Sequence, residues 1–350
     1  MQSLGCQIFS CESKLEDDIL KMEIPITQSE AWAELQKKLG EKAIFQKEAN
    51  FQFLAIVKKT PVGNYLYCPY GPVAEDTASF CQALNSLISI AKDNRLIFIR
   101  IEPQKPEFGT YLPKNAHQSK ELNPKDTWIL DLSGTDEIFN TRLPNRLLRY
   151  HKTAERKGLT IKKTKNPEEI KHLIRLQNAL AKKKGINTFP ESYLKTELSQ
   201  PFATLYLAEY HNRGTEGYKN AEMPTIHNKL LGKPEIVAAG LVFDDETTRY
   251  NMQGAQSDLG RHLHATGILT IELIKDAREK GLKFFDFWGI APEGASDDHP
   301  WAAFTSFKKT FHGEPRHYLG TYDLPLNFAK YESYKMLRGL NRIKRKVITK

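Results

Sequence analysis

"HATGILTIELIKDAREKGLKFFDFWGI", His264 to Ile290, is the stretch that decides the fold. Its first part reads as an amphipathic helix, and its second, "LKFFDFWGI", as an apolar strand entered at once. A helix delivered straight into a buried strand is a unit of mixed α/β structure. Upstream, "EIVAAGLVFDDETTRYNMQGAQ" predicts a hairpin turning around Asp244–Thr247. Before it lie a strand ("FATLYLAEYH"), a short helix ("PESYLKTELSQ"), a helix with a glycine stop ("PEEIKHLIRLQNALAKKKG"), a strand ("LTIKKT") and a basic helical stretch, "TDEIFNTRLPNRLLRYHKTAERKG".

The N-terminal half reads in a similar order. Ser29 caps a helix carrying Ala31, Trp32, Leu35 and Leu39 at helical spacing. Strands "AIFQK", "FQFLAIVKK" and "NYLYCPYGPV" follow. A helix with Phe80, Leu84, Leu87, Ile88 and Ala91 on one face leads to "RLIFIRIEP", an apolar strand ended by proline, and then to "DTWILDLSG". The coarse repetition suggests an internal duplication. Residues 1–22 are expected to be an extension or an added helix, and the polar Gly- and Pro-containing run from Asn212 to Glu235 a surface loop within a hairpin.

The chain has 350 residues, 40% hydrophobic and 27% charged, which suits a folded protein of two domains. It contains no apolar run long enough to span a bilayer, and its N-terminus does not read as a secretory signal. Cys6, Cys11, Cys68 and Cys81 lack metal-ligand spacing and read as reduced thiols of a cytoplasmic protein. The net charge of +9, from 51 basic and 42 acidic residues, favours a polyanionic partner, nucleic acid or an anionic membrane surface, over mere solubility. The terminal "FAKYESYKMLRGLNRIKRKVITK" places Phe328, Tyr331, Tyr334, Leu337, Leu340 and Ile343 on one stripe amid basic residues. Such a helix docks by its aromatic face, with or without a basic outer face left for anions.

Several chemistries find no motif: there is no P-loop, no HExxH and no GxSxG. His262 and His264 lack a third ligand for a metal. "SDLGRHLHATG", Ser257–Gly267, brings glycine and basic residues to a helix start suited to anions, but its glycines are few for a CoA pyrophosphate loop, and simple helix entry is the competing reading. "HPWAAFTSFKKTFHGEP", His299–Pro315, puts Trp301, Phe304, Phe307 and Phe311 on one helical face, with Lys308 at its edge and Lys309 opposite. Lys308 is predicted to be held against rings and partly desolvated, Lys309 solvated. A desolvated ammonium is either a snorkelling stem or a cation fixed where negative charge develops.

In order along residues 27–326, "YLYCPYGPV", "WILDLS…RLPNRLLRYHKTAERKGLTI", "RYNMQGAQSD", "LKFFDFWGI" and "HPWAAFTSFKKTFHGEPRHYLGTYDLPLN" resemble the FemABX family of non-ribosomal peptidyl transferases. The resemblance implies an α/β (α+β) fold of two tandem acyl-CoA-N-acyltransferase-like (GNAT) domains. Residues 23–133 would form the first, completed by a returning 318–350 segment, and 134–317 the second. It implies transfer of an amino acid from aminoacyl-tRNA to the stem-peptide amine of a peptidoglycan precursor at the inner face of the membrane, without metal or organic cofactor. By position, Lys308 with Phe307 would stabilise the acyl-transfer intermediate or the tRNA end. Tyr193, Tyr250, Asp76, Trp32 and Tyr70 would line the substrate side, although Tyr250 also reads as a packed strand residue and Asp76 as the cap of the helix at Thr77.

Three positions depart from the family pattern. Gln36 stands where a lysine four residues after the helix tryptophan would bind phosphate, Tyr70 replaces the arginine of an arginine-glycine-proline, and Phe189 replaces an arginine four residues before Tyr193. They favour a lipid-linked precursor, or a different acceptor, over the soluble nucleotide-linked one. Two further readings are a CoA-dependent N-acyltransferase, needing acyl-CoA near Gly260 and Gly267, and a non-catalytic module holding tRNA or anionic lipid through residues 328–350.

Overall fold

A computed structural model describes residues 23–184, 188–211 and 234–348, with the side chains of all but 184 and 340–348. The expected extension 1–22, most of the expected loop (212–233), and the side chains of Leu340 and Ile343 in the C-terminal stripe lie outside what is described.

The chain builds two seven-stranded mixed sheets. In the first, strands β1 (Lys42–Lys47), β2 (Phe51–Lys58) and β3 (Tyr65–Cys68) run antiparallel, with β4 (Val73–Ala74) beside β2. Helix α2 (Thr77–Asp93) then crosses over to β5 (Phe98–Ile101), which lies parallel to β3. In the second, β8 (Leu159–Thr164), β9 (Ala203–Tyr210), β10 (Glu235–Asp244) and β11 (Thr248–Gln256) are antiparallel. Helices α7 (Asp258–His262) and α8 (Ala265–Glu279) cross over to β12 (Phe284–Gly289), parallel to β11. The duplication thus exists as topology: in each half a hairpin, a helical crossover and one parallel strand pair. A parallel pair cannot be closed by a tight turn, so each half needs its helix at that point.

One boundary differs from the sequence expectation. β7 (Asp126–Asp131), placed in the first domain by a limit at 133, pairs with β12 and with β13 (Glu314–His317) in the second sheet. The strand is buried along nearly its whole length and reads the same whichever sheet takes it. After β13 the chain returns to the first sheet as β14 (Tyr322–Pro325), between β5 and the two-residue β6 (His117–Gln118). Arg100 and Asp323 anchor that return with a buried two-pronged ion pair of 2.6 and 2.7 Å.

The local signals act as read. The Ser29 hydroxyl accepts from the Trp32 N–H at the start of α1 (Glu30–Lys38), and the Asp76 carboxylate accepts from the Ser79 N–H at the start of α2. Pro144 divides the basic helical stretch into α3 (Asp136–Thr141) and α4 (Asn145–Thr153). Of the C-terminal stripe on α10 (Phe328–Ile348), Tyr331 and Tyr334 pack on Phe98, but Phe328 and Leu337 stay exposed, at 65% and 37%. The halves share a core. Trp32 and Leu35 of α1 join Leu173 of α5 (Ile170–Lys184), Leu194 of α6 (Glu191–Leu198), Leu205 and Phe243 in one cluster, which binds the two sheets together.

Candidate active site

The site grows from the place where β11 and β12 part. They pair only from Thr248 to Tyr250, against Phe284 to Asp286. Past Asp286 the chain turns sharply. Trp288 takes a left-handed backbone (φ +65°), and its N–H donates to the Asp286 carboxylate at 2.6 Å. A bulky residue in that conformation is a strained one, held only where its surroundings compensate. Gly289 then rejoins β7 opposite Thr127. A Cβ there would come within 2.6 Å of Pro124 and 3.2 Å of Trp301, so only glycine fits.

The turn carries the Trp288 ring to the junction of the two halves. It meets Tyr70 edge-on at 5.5 Å and Tyr250 edge-on at 6.3 Å. Tyr70 is itself left-handed (φ +48°), at the end of the first sheet's parallel strand. Its ring lies 4.9 Å from Tyr318, and its hydroxyl donates to the Pro124 carbonyl at 2.8 Å. Beneath the rings, the Tyr250 hydroxyl donates to Asp245 at 2.7 Å, and burial pushes the Asp245 carboxyl up.

Lys308 enters from α9 (Ala302–Lys309). Its ammonium donates to the Gly289 carbonyl at 2.5 Å. Burial pushes the amine down to about 8, opposed by the charge of Asp286. Asp286 is 2% exposed. Burial pushes its carboxyl up to about 7, opposed by the Trp288 N–H and by the charges of Arg316 and Lys308. A desolvated cation and a desolvated acid thus share one enclosure, each favouring the other's charged form.

The environment of Lys308 differs from the sequence expectation. The helix buries Thr305, whose hydroxyl accepts from the Ala291 N–H, while Trp301 and Phe304 are 38% and 46% exposed. The helix stops at Lys309, so Phe311 leaves the helical phase and enters the core beside Phe287. Lys308 is partly buried with its ammonium on the carbonyl at the strand end, and it is Lys309 that lies over a ring, that of Trp128, at 5.8 Å.

The remaining sequence-derived residues divide. Trp32, Tyr250, Tyr193 and Trp288 border one apolar cluster, with Trp32 packed against Phe202 and Phe243. Tyr193 stacks on the exposed Phe189 at 4.9 Å, and Gln36 is buried. Phe307 packs in the neighbouring core, against Phe311. Asp76 is exposed and caps α2; its neighbours are Ser79 and Lys105, and it takes no part in the junction. Sequence reasoning passed over Asp245, Trp288, Arg316 and Tyr318. The one available signal was a bulky tryptophan directly before the glycine of "DFWG".

Gly260 and Gly267, the glycines a CoA loop would need, are used for packing. A Cβ at Gly260 would lie 2.3 Å from the Val237 carbonyl, and one at Gly267 2.6 Å from Leu147. Among the described residues no cluster of three or more His, Cys, Asp or Glu is placed to hold a metal ion.

Comparison with known proteins bears on the fold and the family resemblance. Residues 215–338 match the model of the FemAB family. The chain superposes on the crystal structure of FemX with a TM-score of 0.71 at 18% identity, over 88% of this chain and 94% of that one. The C-terminal domain of a putative lysylphosphatidylglycerol synthetase from Agrobacterium fabrum gives a TM-score of 0.56 at 13% identity, over 89% of this chain and 92% of that one. L-PGS from Bacillus licheniformis gives 0.51 at 16%, over 82% and 84%. No curated protein matches the sequence significantly. The FemABX resemblance read from sequence is thus found again in the family match, and the tandem α/β architecture in the superpositions.

Proposed function

We propose that the protein is an aminoacyltransferase that moves an amino acid from aminoacyl-tRNA to the stem-peptide amine of a peptidoglycan precursor, at the inner face of the membrane. The observation that carries this reading is the Lys308 ammonium, desolvated and tethered to the Gly289 carbonyl where the two halves meet.

The reaction is ester aminolysis. The acceptor's neutral amine attacks the ester carbonyl, a C–N bond forms, and the carbonyl oxygen becomes an oxyanion. The C–O bond to the terminal ribose then breaks, and the proton lost by the amine ends on the ribose hydroxyl. An ammonium has three N–H donors. Gly289 holds one, which orients the group and leaves two for the oxyanion. A cation already stripped of water stabilises developing charge without reorganising solvent. Asp286 supports its charge from below, and Trp288, Tyr70 and Tyr250 keep the junction apolar.

The acceptor is a lipid-linked precursor. At the three positions where the resemblance would supply a phosphate-binding lysine and two arginines, Gln36 is buried, Tyr70 is bonded to Pro124 and Phe189 is stacked on Tyr193. The CoA-dependent alternative loses its footing because Gly260 and Gly267 are filled by packing. The test is transfer of labelled amino acids from a pool of charged tRNA to lipid-linked and to nucleotide-linked precursor. Label in the lipid-linked acceptor, absent with Lys308→Met, is expected. Transfer from acyl-CoA, or none from any charged tRNA, would overturn the reading.

A further inference from the structure

A second feature lies on the outer side of the second half, on the basic stretch from Asn145 to Lys157. Arg146, Arg149, Lys152, Arg156 and Lys157 are all exposed, and none has a carboxylate partner among the described residues. Among the described residues, the one side-chain contact from this stretch to a carboxylate is that of His151 with Glu272. Arg146 and Lys157 both flank the Tyr150 ring, at 5.4 and 5.7 Å. His264, left-handed at φ +55°, is stacked flat on that ring at 4.6 Å.

Between α4 and the α7–α8 corner is a cavity of about 160 Å³ with an apolar floor, Leu159 and Ile268 among it, and Tyr150, Lys157, His262 and His264 as its polar lining. At about 30 Å³ per water it has room for several waters, or for one phosphate group. Burial first, and then the charges of Arg146, Lys157 and His262, hold the His264 imidazole below its ordinary value. Gathering like charges has a cost that an anion removes.

The patch also leads back to the site. The N–H of His312, just past the helix that carries Lys308, donates to the Arg142 carbonyl at 2.9 Å. The His312 ring contacts the Thr141 carbonyl, also at 2.9 Å. From there α4 runs nine residues, about 13 Å at 1.5 Å per residue, toward the pocket.

We propose that the outer face of α4, with the Tyr150–His264 pocket at its far end, is an RNA-backbone site that takes the donor's phosphates as its strand leaves the terminal ribose held at Lys308. This rests on the aminoacyl-tRNA reading of the junction. Phosphate contacts of this kind position a strand without reading its sequence.

The test uses full-length protein and a labelled RNA hairpin with a short single-stranded 3′ end, titrated at 50 and 200 mM salt. The triple variant Arg146→Ala/Arg149→Ala/Lys157→Ala is compared with wild type and with the charge-matched control Lys47→Ala/Lys59→Ala/Lys92→Ala, whose lysines are exposed elsewhere. Losing three phosphate contacts lowers the slope of log K against log salt by about 2. Over that salt range wild-type affinity should therefore fall roughly 20-fold more than the triple variant's. In transfer assays the triple variant should show a raised KM for charged tRNA with kcat kept.

Equal affinity and slope in wild type and triple variant, with transfer intact, would overturn the inference and leave the donor reading standing. An equal loss in the control would overturn it by showing a net-charge effect. No RNA binding by wild type would sink both, as would binding through these residues only to phosphatidylglycerol vesicles.

Discussion

Replacing Lys308 by Met should stabilise the protein while removing its activity. An amine moved from 10.5 to about 8 has lost about 3.4 kcal/mol of its preference for the charged form. Methionine keeps an apolar chain of similar length and carries no charge to desolvate. Against this, the Gly289 carbonyl loses a hydrogen bond, about 1 to 1.5 kcal/mol. The balance is a gain of about 2 kcal/mol at pH 7, a few degrees in Tm. The pH dependence has a definite sign. The folded-state value is the lower one, so between about 8 and 10.5 the unfolded chain holds a proton that the folded chain has released. Wild-type stability therefore rises with pH over that window, and the variant's advantage shrinks through it. Urea unfolding of both proteins at pH 7, 9 and 10.5 measures this. Transfer should fall at least about 100-fold, the effect of removing one oxyanion donor. A variant that is less stable at pH 7, or one that keeps a tenth of its activity, would refute the account of a cation held at a cost for catalysis.

Other perturbations probe the same enclosure. Asp286→Asn removes a buried carboxyl raised to about 7; such a group's contribution to stability is full below pH 3.8 and lost as pH rises through 7, so the variant should gain on wild type between pH 4 and 8 in unfolding titrations. The same change withdraws negative charge from Lys308, and the basic limb of the pH–rate profile should move to lower pH; an unmoved limb would remove Asp286 from the mechanism. Trp288→Gly should be more stable than Trp288→Ala by about 1 kcal/mol, since glycine alone takes φ +65° without strain; both should transfer poorly, and an inverted order by calorimetry would count against strain at this turn. Asp323→Ala leaves Arg100 buried and unpaired, and denaturation should show a loss of about 3 to 5 kcal/mol.

The sequence alone determined the class of fold, because it rests on local terms. Apolar spacing marks α2 and α8, Ser29 and Asp76 cap their helices, and the Asp245–Thr247 turn sets the β10–β11 hairpin. It also singled out Lys308 over Lys309, since helical phase separates adjacent residues by about 100°. Only the tertiary structure decided what desolvates Lys308. Periodicity pointed to a ring face, but the Gly289 carbonyl and Asp286 come from a strand end some twenty residues away, and no local pattern encodes that approach. The same holds for β7. Its apolar run is fit to be buried in either sheet, and its partners, β12 and β13, come more than 150 residues later. Trp288 is the sharpest case. A tryptophan in a strand reads as core, and its left-handed turn toward Tyr70 becomes visible only when both halves are in place to hold it. Local chemistry specifies elements and their faces; where two distant faces meet depends on closing long loops, and that closure is where this site is made.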